Sequence, residues 1–359
     1  MRTKRLATFL LIVGASCLSS PAANSQAQPS GATQPYAMAG TYERITVHGP
    51  SLVGNLEGDS PDRKVSVYLP PSYAKKREAR YPVLYLLHGF TSSDSDWFGL
   101  HERPHFVYVP RAVDRAFAAG TMEMIIVMPD AYTKYLGSMY SSSATIGDWE
   151  SFVTRDLVSY VDQHYRTIAK RESRGLAGHS MGGYGTLRLG MKYPQVFSSL
   201  YAMNPCCLGA NLQPPVEALA KAAKVTTPEE IAAADFFTKA MLASAAAWSP
   251  NPGNPPHYFD LPVVDGQPVP AVIAAWAANA PLALVHQYVP NLRQIDAIAI
   301  DAGDKDLPPI PETVRALDEV LNDYEIRHVT EIYEGDHVNR VEERLEKNVL
   351  PFFSRHLKN

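Results

Sequence analysis

The stretch "RGLAGHSMGGYGTLRLGMKYP" (174–194) sets one serine, Ser180, among glycines at 178, 182 and 183. Apolar residues precede the serine and a helical pattern follows it. A tight strand-to-helix turn accounts for that composition. The residue at the apex of such a turn is forced into a strained backbone. Side chains two positions before and after would strike the neighbouring strand and helix, and glycine at 178 and 182 removes both collisions. The turn lifts the Ser180 hydroxyl above a sheet. It also presents the N–H of Met181 at a helix N-terminus, where developing negative charge is favoured.

The flanking sequence supplies the sheet. "YPVLYLLHG" (81–89) and "MEMIIVMPD" (122–130) are near-continuous apolar runs, as expected of strands buried on both faces. "VFSSLYAMNP" (196–205), "IDAIAIDAG" (295–303) and "RHVTEIYEG" (327–335) read as three more strands. Helical patterns lie between or after them at 106–120, 147–165, 181–193, 311–324 and 339–357, with Asp148 a predicted N-cap. Upstream, "YERITVHG" and "RKVSVYLPP" flank a turn-rich segment and predict an antiparallel pair. This β-α alternation implies a mostly parallel central sheet with helices on both faces. One interval breaks the rhythm. Residues 206–294 are alanine-rich, then dense in proline, and far longer than a crossover needs. They predict an inserted helical and Pro-rich cap over the carboxyl edge of the sheet.

A serine hydroxyl needs a base, and the base needs an orienting acid. Among the downstream histidines, His337 follows the last strand in a loop that opens the last helix, so it is the candidate base. His257 and His286 fall in the insertion, His328 in a strand and His356 at a helix end. The loop "DAGDKDLPP" offers Asp301, Asp304 and Asp306 as acids, with Asp306 favoured and the others expected to form turns or caps. Asp336 is read as a loop residue. A second oxyanion donor is expected from "LLHGF", where Gly89 permits close approach and the N–H of Phe90 faces the site; His88 is expected to brace that loop. Aromatic residues near strand ends, Trp97 and Tyr140 foremost and also Phe98, Tyr132 and Tyr135, are candidate lining for an acyl pocket.

Bulk properties narrow the function classes. The 359 residues are 46% hydrophobic and carry a net charge of −4, so no broad basic face predicts a nucleic-acid partner. Residues 1–27 have a basic start, an apolar run from Leu6 to Cys17 and a small-x-small site at Ser25–Ala27. They predict a cleaved export signal, a secreted or periplasmic enzyme, and no membrane attachment after removal. Residues 28–40 read as a flexible leader and 41–359 as one domain. Cys206 and Cys207 are adjacent and are expected as thiols, because neighbouring cysteines bridge only through a strained ring. "HERPH" (101–105) pairs two histidines without a third ligand, so no metal is expected, and no cofactor motif occurs.

Together "VSVYLPPSY", "YPVLYLLHGF", "GDWESFV", the serine segment, "DAGDKD" and "EGDHV" resemble the esterase D-like branch of α/β-hydrolases. That branch holds feruloyl and acetylxylan esterases, S-formylglutathione hydrolases and mycolyltransferases. The resemblance implies an α/β-hydrolase fold with Ser180 as nucleophile, Asp306 as acid and His337 as base. It also implies Met181 and Phe90 as oxyanion donors and a small or carbohydrate-linked ester as substrate. Two features depart from the family pattern: the long insertion, and a histidine motif with no tryptophan soon after it. The leading expectation is an exported serine esterase acting on feruloyl or acetyl esters of plant polysaccharide. The alternatives are an acyltransferase, a thioesterase of the S-formylglutathione type and a non-catalytic binding protein.

Overall fold

In a computed structural model, residues 36–100, 105–209 and 216–359 are described. The predicted export signal lies outside them, as do most of "HERPH" and most of the leader. The end of the leader is held rather than loose, since the Ala39 N–H donates to Asp114 Oδ2 at 2.8 Å.

Eight strands form one sheet: β1 (Thr41–His48), β2 (Asp62–Leu69), β3 (Val83–Leu87), β4 (Ile125–Pro129), β5 (Arg174–His179), β6 (Ser199–Met203), β7 (Ala297–Gly303) and β8 (Val329–Tyr333). Their order is β1-β2-β4-β3-β5-β6-β7-β8. The predicted antiparallel pair, β1 and β2, forms one edge, and β2 runs antiparallel to β4. All later pairings are parallel, with β5 central between β3 and β6. Central strands cannot tolerate polar faces, and β3 shows why its sequence is a continuous apolar run. Val83, Tyr85 and Leu87 face one core while Leu84 and Leu86 face the other.

The first core holds helices α2 (149–164) and α3 (Met181–Lys192), the second α1 (Val109–Ala118) and α10 (341–356). Both α2 and α10 carry one π turn, at Phe152–Asp156 and Leu345–Val349. The predicted cap works as read: Asp148 accepts the Ser151 N–H at 2.9 Å. Further helices are α4 (Val216–Ala222), α5 (Pro228–Ala233), α6 (Phe236–Trp248), α7 (Pro270–Ala277), α8 (Pro281–Leu292) and α9 (Ile310–Asp323), and a single helical turn spans Asp94–Trp97. Among the described residues no helix is long and apolar enough to cross a membrane.

One boundary differs from the sequence reading. The insertion does not run to residue 294. Helix α8 buries Val285, Val289 and Leu292 in the first core, and the Asn291 side chain donates to the Met191 carbonyl of α3 at 2.7 Å. It is an ordinary crossover helix between β6 and β7. The prolines at 281 and 290 disguised it, although Pro281 stands at the first helical position, where no N–H is needed.

Helix α3 is buried along nearly its whole length, so its polar residues need partners. Arg188 Nε donates to Glu150 Oε1 at 2.9 Å; Lys192 and the Tyr193 hydroxyl reach the other oxygen of Glu150. Glu150 and Arg188 are both buried, so this pairing ties α2 to the helix that follows the serine. Truncating one member strands an uncompensated charge. Glu150→Ala is expected to lose about 3 kcal/mol of stability, read as a shifted urea midpoint at unchanged slope.

Candidate active site

Ser180 sits between β5 and α3 with φ +58° and ψ −116°, a conformation that L residues avoid. The turn exists because backbone meets backbone around it. A Cβ on Gly178 would lie 2.2 Å from the Gly182 carbonyl oxygen, and one on Gly182 would lie 2.1 Å from the Leu87 carbonyl oxygen. Both positions therefore require glycine.

Three distant segments meet at this serine. The His337 ring stands between Asp306 and Ser180, with Nδ1 2.7 Å from Asp306 Oδ1 and Nε2 2.9 Å from Ser180 Oγ. A carboxylate only accepts, so Nδ1 carries the proton and Nε2 is left to accept from the serine hydroxyl. The Asp306 side chain is wholly buried, and the Leu307 N–H also donates to Oδ1, at 2.5 Å. These contacts fix the carboxylate and, through it, the ring.

The other candidates lie elsewhere. Asp301 points to the opposite face, bonded to Arg344 Nε at 2.9 Å and the Tyr201 hydroxyl at 2.8 Å; burial pushes its carboxyl up to about 6. Asp304 accepts the Gly335 N–H, and Asp336 accepts the N–H groups of Val338 and Asn339, so both shape turns. His257 meets the Tyr135 hydroxyl, His286 the Tyr324 hydroxyl and His328 the Asp318 carboxylate.

The two predicted donors flank the serine. Met181 opens α3, and Phe90 lies in the turn after β3. Among the described residues neither backbone N–H meets an acceptor. A Cβ on Gly89 would lie 3.4 Å from Ser180 Cβ, which measures how closely this loop approaches. His88 holds the loop: Nε2 accepts the Ala131 N–H at 2.8 Å, so Nδ1–H donates to the Gly89 carbonyl at 2.9 Å. Burial lowers the pKa of His88, in keeping with this neutral tautomer.

The proposed pocket aromatics are corrected by burial. Trp97 and Tyr140 are both 0% exposed and offer no face to a ligand. Trp97 packs its ring 6.0 Å from His179, and the Tyr140 hydroxyl donates to the His88 carbonyl at 3.1 Å. They brace the site from behind. Phe98 and Tyr135 are buried too, while Tyr132 is exposed.

Two positioning residues escaped the sequence reading. His179 Nε2–H donates to the His337 carbonyl at 2.7 Å; burial, with His337 and His105 nearby, pushes its pKa well down, so it stays neutral. Asn204 donates to the same carbonyl at 3.2 Å and to the Tyr333 hydroxyl at 2.9 Å, and accepts the Gly303 N–H at 2.9 Å. It thereby links the ends of β7 and β8 to the histidine loop. The signal was present: each is a polar residue at the carboxyl end of an apolar run. Beyond Asn204, Cys206 donates its N–H to the Ser180 carbonyl at 3.2 Å, and the thiols of Cys206 and Cys207 are free. Among the described residues no His, Cys, Asp and Glu cluster could hold a metal.

Known proteins resemble this chain at different depths. A solved ferulic acid esterase superposes with a TM-score of 0.62 at 21% identity, covering 90% of this chain and 100% of its own. An S-formylglutathione hydrolase from Agrobacterium tumefaciens gives 0.58 at 18% identity, covering 91% of this chain and 99% of its own. At such identities the likeness speaks for the fold, which is that of the α/β-hydrolases. An esterase of Mycobacterium tuberculosis is 33% identical over 140 residues, 38% of this chain and 27% of that protein. A protein of Xylanibacter ruminicola called endo-1,4-beta-xylanase/feruloyl esterase is 29% identical over 136 residues, 37% of this chain and 18% of that protein. The match thus spans about a quarter or less of these curated relatives. The model of the family described as "Putative esterase" matches residues 60–341, which takes in the serine, the acid and the histidine, and the chain belongs to that family.

Proposed function

We propose that this chain is an exported serine carboxylic-ester hydrolase that works through an acyl-enzyme, on feruloyl or acetyl esters of plant polysaccharide. One observation carries the reading: a histidine bridges a buried carboxylate and a strained serine hydroxyl beside two amide hydrogens that meet no acceptor among the described residues. His337 Nε2 takes the Ser180 proton as Oγ attacks the ester carbonyl. The carbonyl oxygen becomes an oxyanion held by the N–H groups of Met181 and Phe90. His337 then gives the proton to the leaving alcohol as the C–O bond breaks, leaving an acyl-serine. Water, deprotonated by His337, attacks the acyl carbonyl, and collapse returns the acid product and the free hydroxyl. The apolar run near the start of the chain supports export, which argues for polysaccharide esters over a cytosolic thioester. The family membership and the names of the relatives favour ester substrates.

Two measurements test this reading. Ser180→Ala is expected to lower turnover of p-nitrophenyl acetate and methyl ferulate by about 10⁴-fold or more. It should also abolish labelling by a fluorophosphonate probe while circular dichroism is unchanged. Near wild-type turnover would remove the serine from the mechanism. Asp306→Asn leaves the ring bonded but permits the wrong tautomer, so kcat should fall by about 10⁴-fold with the fold intact. A loss below tenfold would remove the carboxylate from its role.

A further inference from the structure

The burial of Trp97 and Tyr140 leaves the acyl group without the lining expected of it, and the cap supplies another. Phe236 and Phe237 open α6 and are 48% and 59% exposed. The Phe236 ring meets the Phe90 ring edge-on at 5.6 Å, and Phe237 continues the series at 5.6 Å and 85°. Phe90 carries one of the two N–H groups that would hold the oxyanion, so the aromatic series begins at the reacting carbonyl.

We infer that Phe236 and Phe237 form the recognition surface for the acyl group, and that the acyl group they select is aromatic. The inference rests on the hydrolase reading and deepens it. Leaving two large rings half in water forgoes burial worth about 1.5–3 kcal/mol for each when fully covered. A contiguous exposed apolar surface beside a nucleophile is where a ligand restores that burial.

The surface is also stiff. The helix end carrying the rings is capped by Asp235, whose carboxylate accepts the Thr238 N–H at 3.1 Å and the Thr238 hydroxyl at 2.8 Å. The opposite end is fixed to the body. Trp248 donates to Ser141 Oγ at 3.2 Å, and the Ala246 carbonyl accepts from Ser143 at 2.7 Å. Between them Leu242, Ala243, Ala245 and Ala246 are wholly buried. Aromatic faces on a fixed helix lose little freedom when a flat ring settles on them.

Geometry separates the acyl side from the alcohol side. The leaving alcohol must lie beside His337 Nε2, which protonates it. The His337 ring packs on His179 at 4.7 Å, whereas Phe236 packs on Phe90. On this inference a group resting on Phe236 is attached through the carbonyl carbon rather than through the departing oxygen.

The test uses the full chain and four esters: p-nitrophenyl acetate, p-nitrophenyl ferulate, methyl ferulate and ethyl ferulate. Phe236→Ala and Phe237→Ala should each lower kcat/KM for both p-nitrophenyl and methyl ferulate by about tenfold or more, mainly through KM. Acetate turnover should stay within about twofold, and Phe236→Leu should recover part of the loss. A parallel fall on acetate and ferulate would mean a merely structural role and would overturn the inference, as would no change on either. A changed ratio of methyl to ethyl ferulate at constant acyl discrimination would place the rings on the alcohol side and overturn it too. Wild-type enzyme that cleaves acetate but no feruloyl ester would sink this inference and leave the hydrolase reading standing. Absence of fluorophosphonate labelling would sink the hydrolase reading itself.

Discussion

Everything at the site depends on how closely the backbone of α3 comes to the ends of β3 and β5. The Gly182 position lies within van der Waals contact of the Leu87 carbonyl, and Gly178 lies as close to Gly182. At that spacing the connecting residue has no relaxed conformation, and Ser180 takes φ +58°. Strain of this kind costs on the order of 1–3 kcal/mol and persists only where surrounding structure over-determines it. Here the determination comes from the buried body of α3 and from the Glu150 pairing with Arg188 and Lys192. One constraint yields three outcomes. The hydroxyl projects clear of the sheet, the Met181 N–H at the helix start meets no acceptor among the described residues, and the Phe90 turn is brought alongside.

The imidazoles around the serine divide their work by environment. His88 and His179 are buried, each bonded to a backbone carbonyl, and burial disfavours their charged forms. A neutral ring is a fixed strut whose donor and acceptor do not exchange near neutral pH. His337 is one-fifth exposed, and its ring stands between the Asp306 carboxylate and the Ser180 hydroxyl. The difference lies in the partner and not in the residue type. The two buried rings hold the loops between which the His337 ring reaches the Ser180 hydroxyl.

How much of this was legible follows from what each signal encodes. The apolar runs of β3 and β4 and the glycines of the serine turn report local geometry, so sheet, turn and helix could be read directly. Asp306 could be preferred from its place in the loop beyond the strand, whereas only the structure shows Asp301 within β7 with its side chain on Arg344. Burial is different, since it depends on what the rest of the chain places on top. Trp97 and Tyr140 stand near strand ends, as pocket residues do, yet other segments cover them completely. Phe236 and Phe237 were unreadable for the converse reason. An alanine-rich helix gives no sign of which turn is left uncovered. Proline density likewise hid α8, because a proline at a helix start and one in a loop look the same in sequence.

The position of α8 also decides how the cap can vary. The chain leaves the sheet after β6 and rejoins the helical layer at Pro281, so the intervening segment has two roots at the carboxyl edge and is held again through α6, where Trp248 and Ala246 meet Ser141 and Ser143. Both roots are tied to the elements around Ser180. Cys206 bonds the Ser180 carbonyl at one end; at the other the Asn279 carbonyl accepts from Tyr184 of α3, and the Leu282 N–H donates to the Leu208 carbonyl. The two roots meet, and the loop between them closes on itself. Strand register sets the spacing of Ser180, Asp306 and His337, and the segment between the roots brings Phe236 against Phe90 beside them.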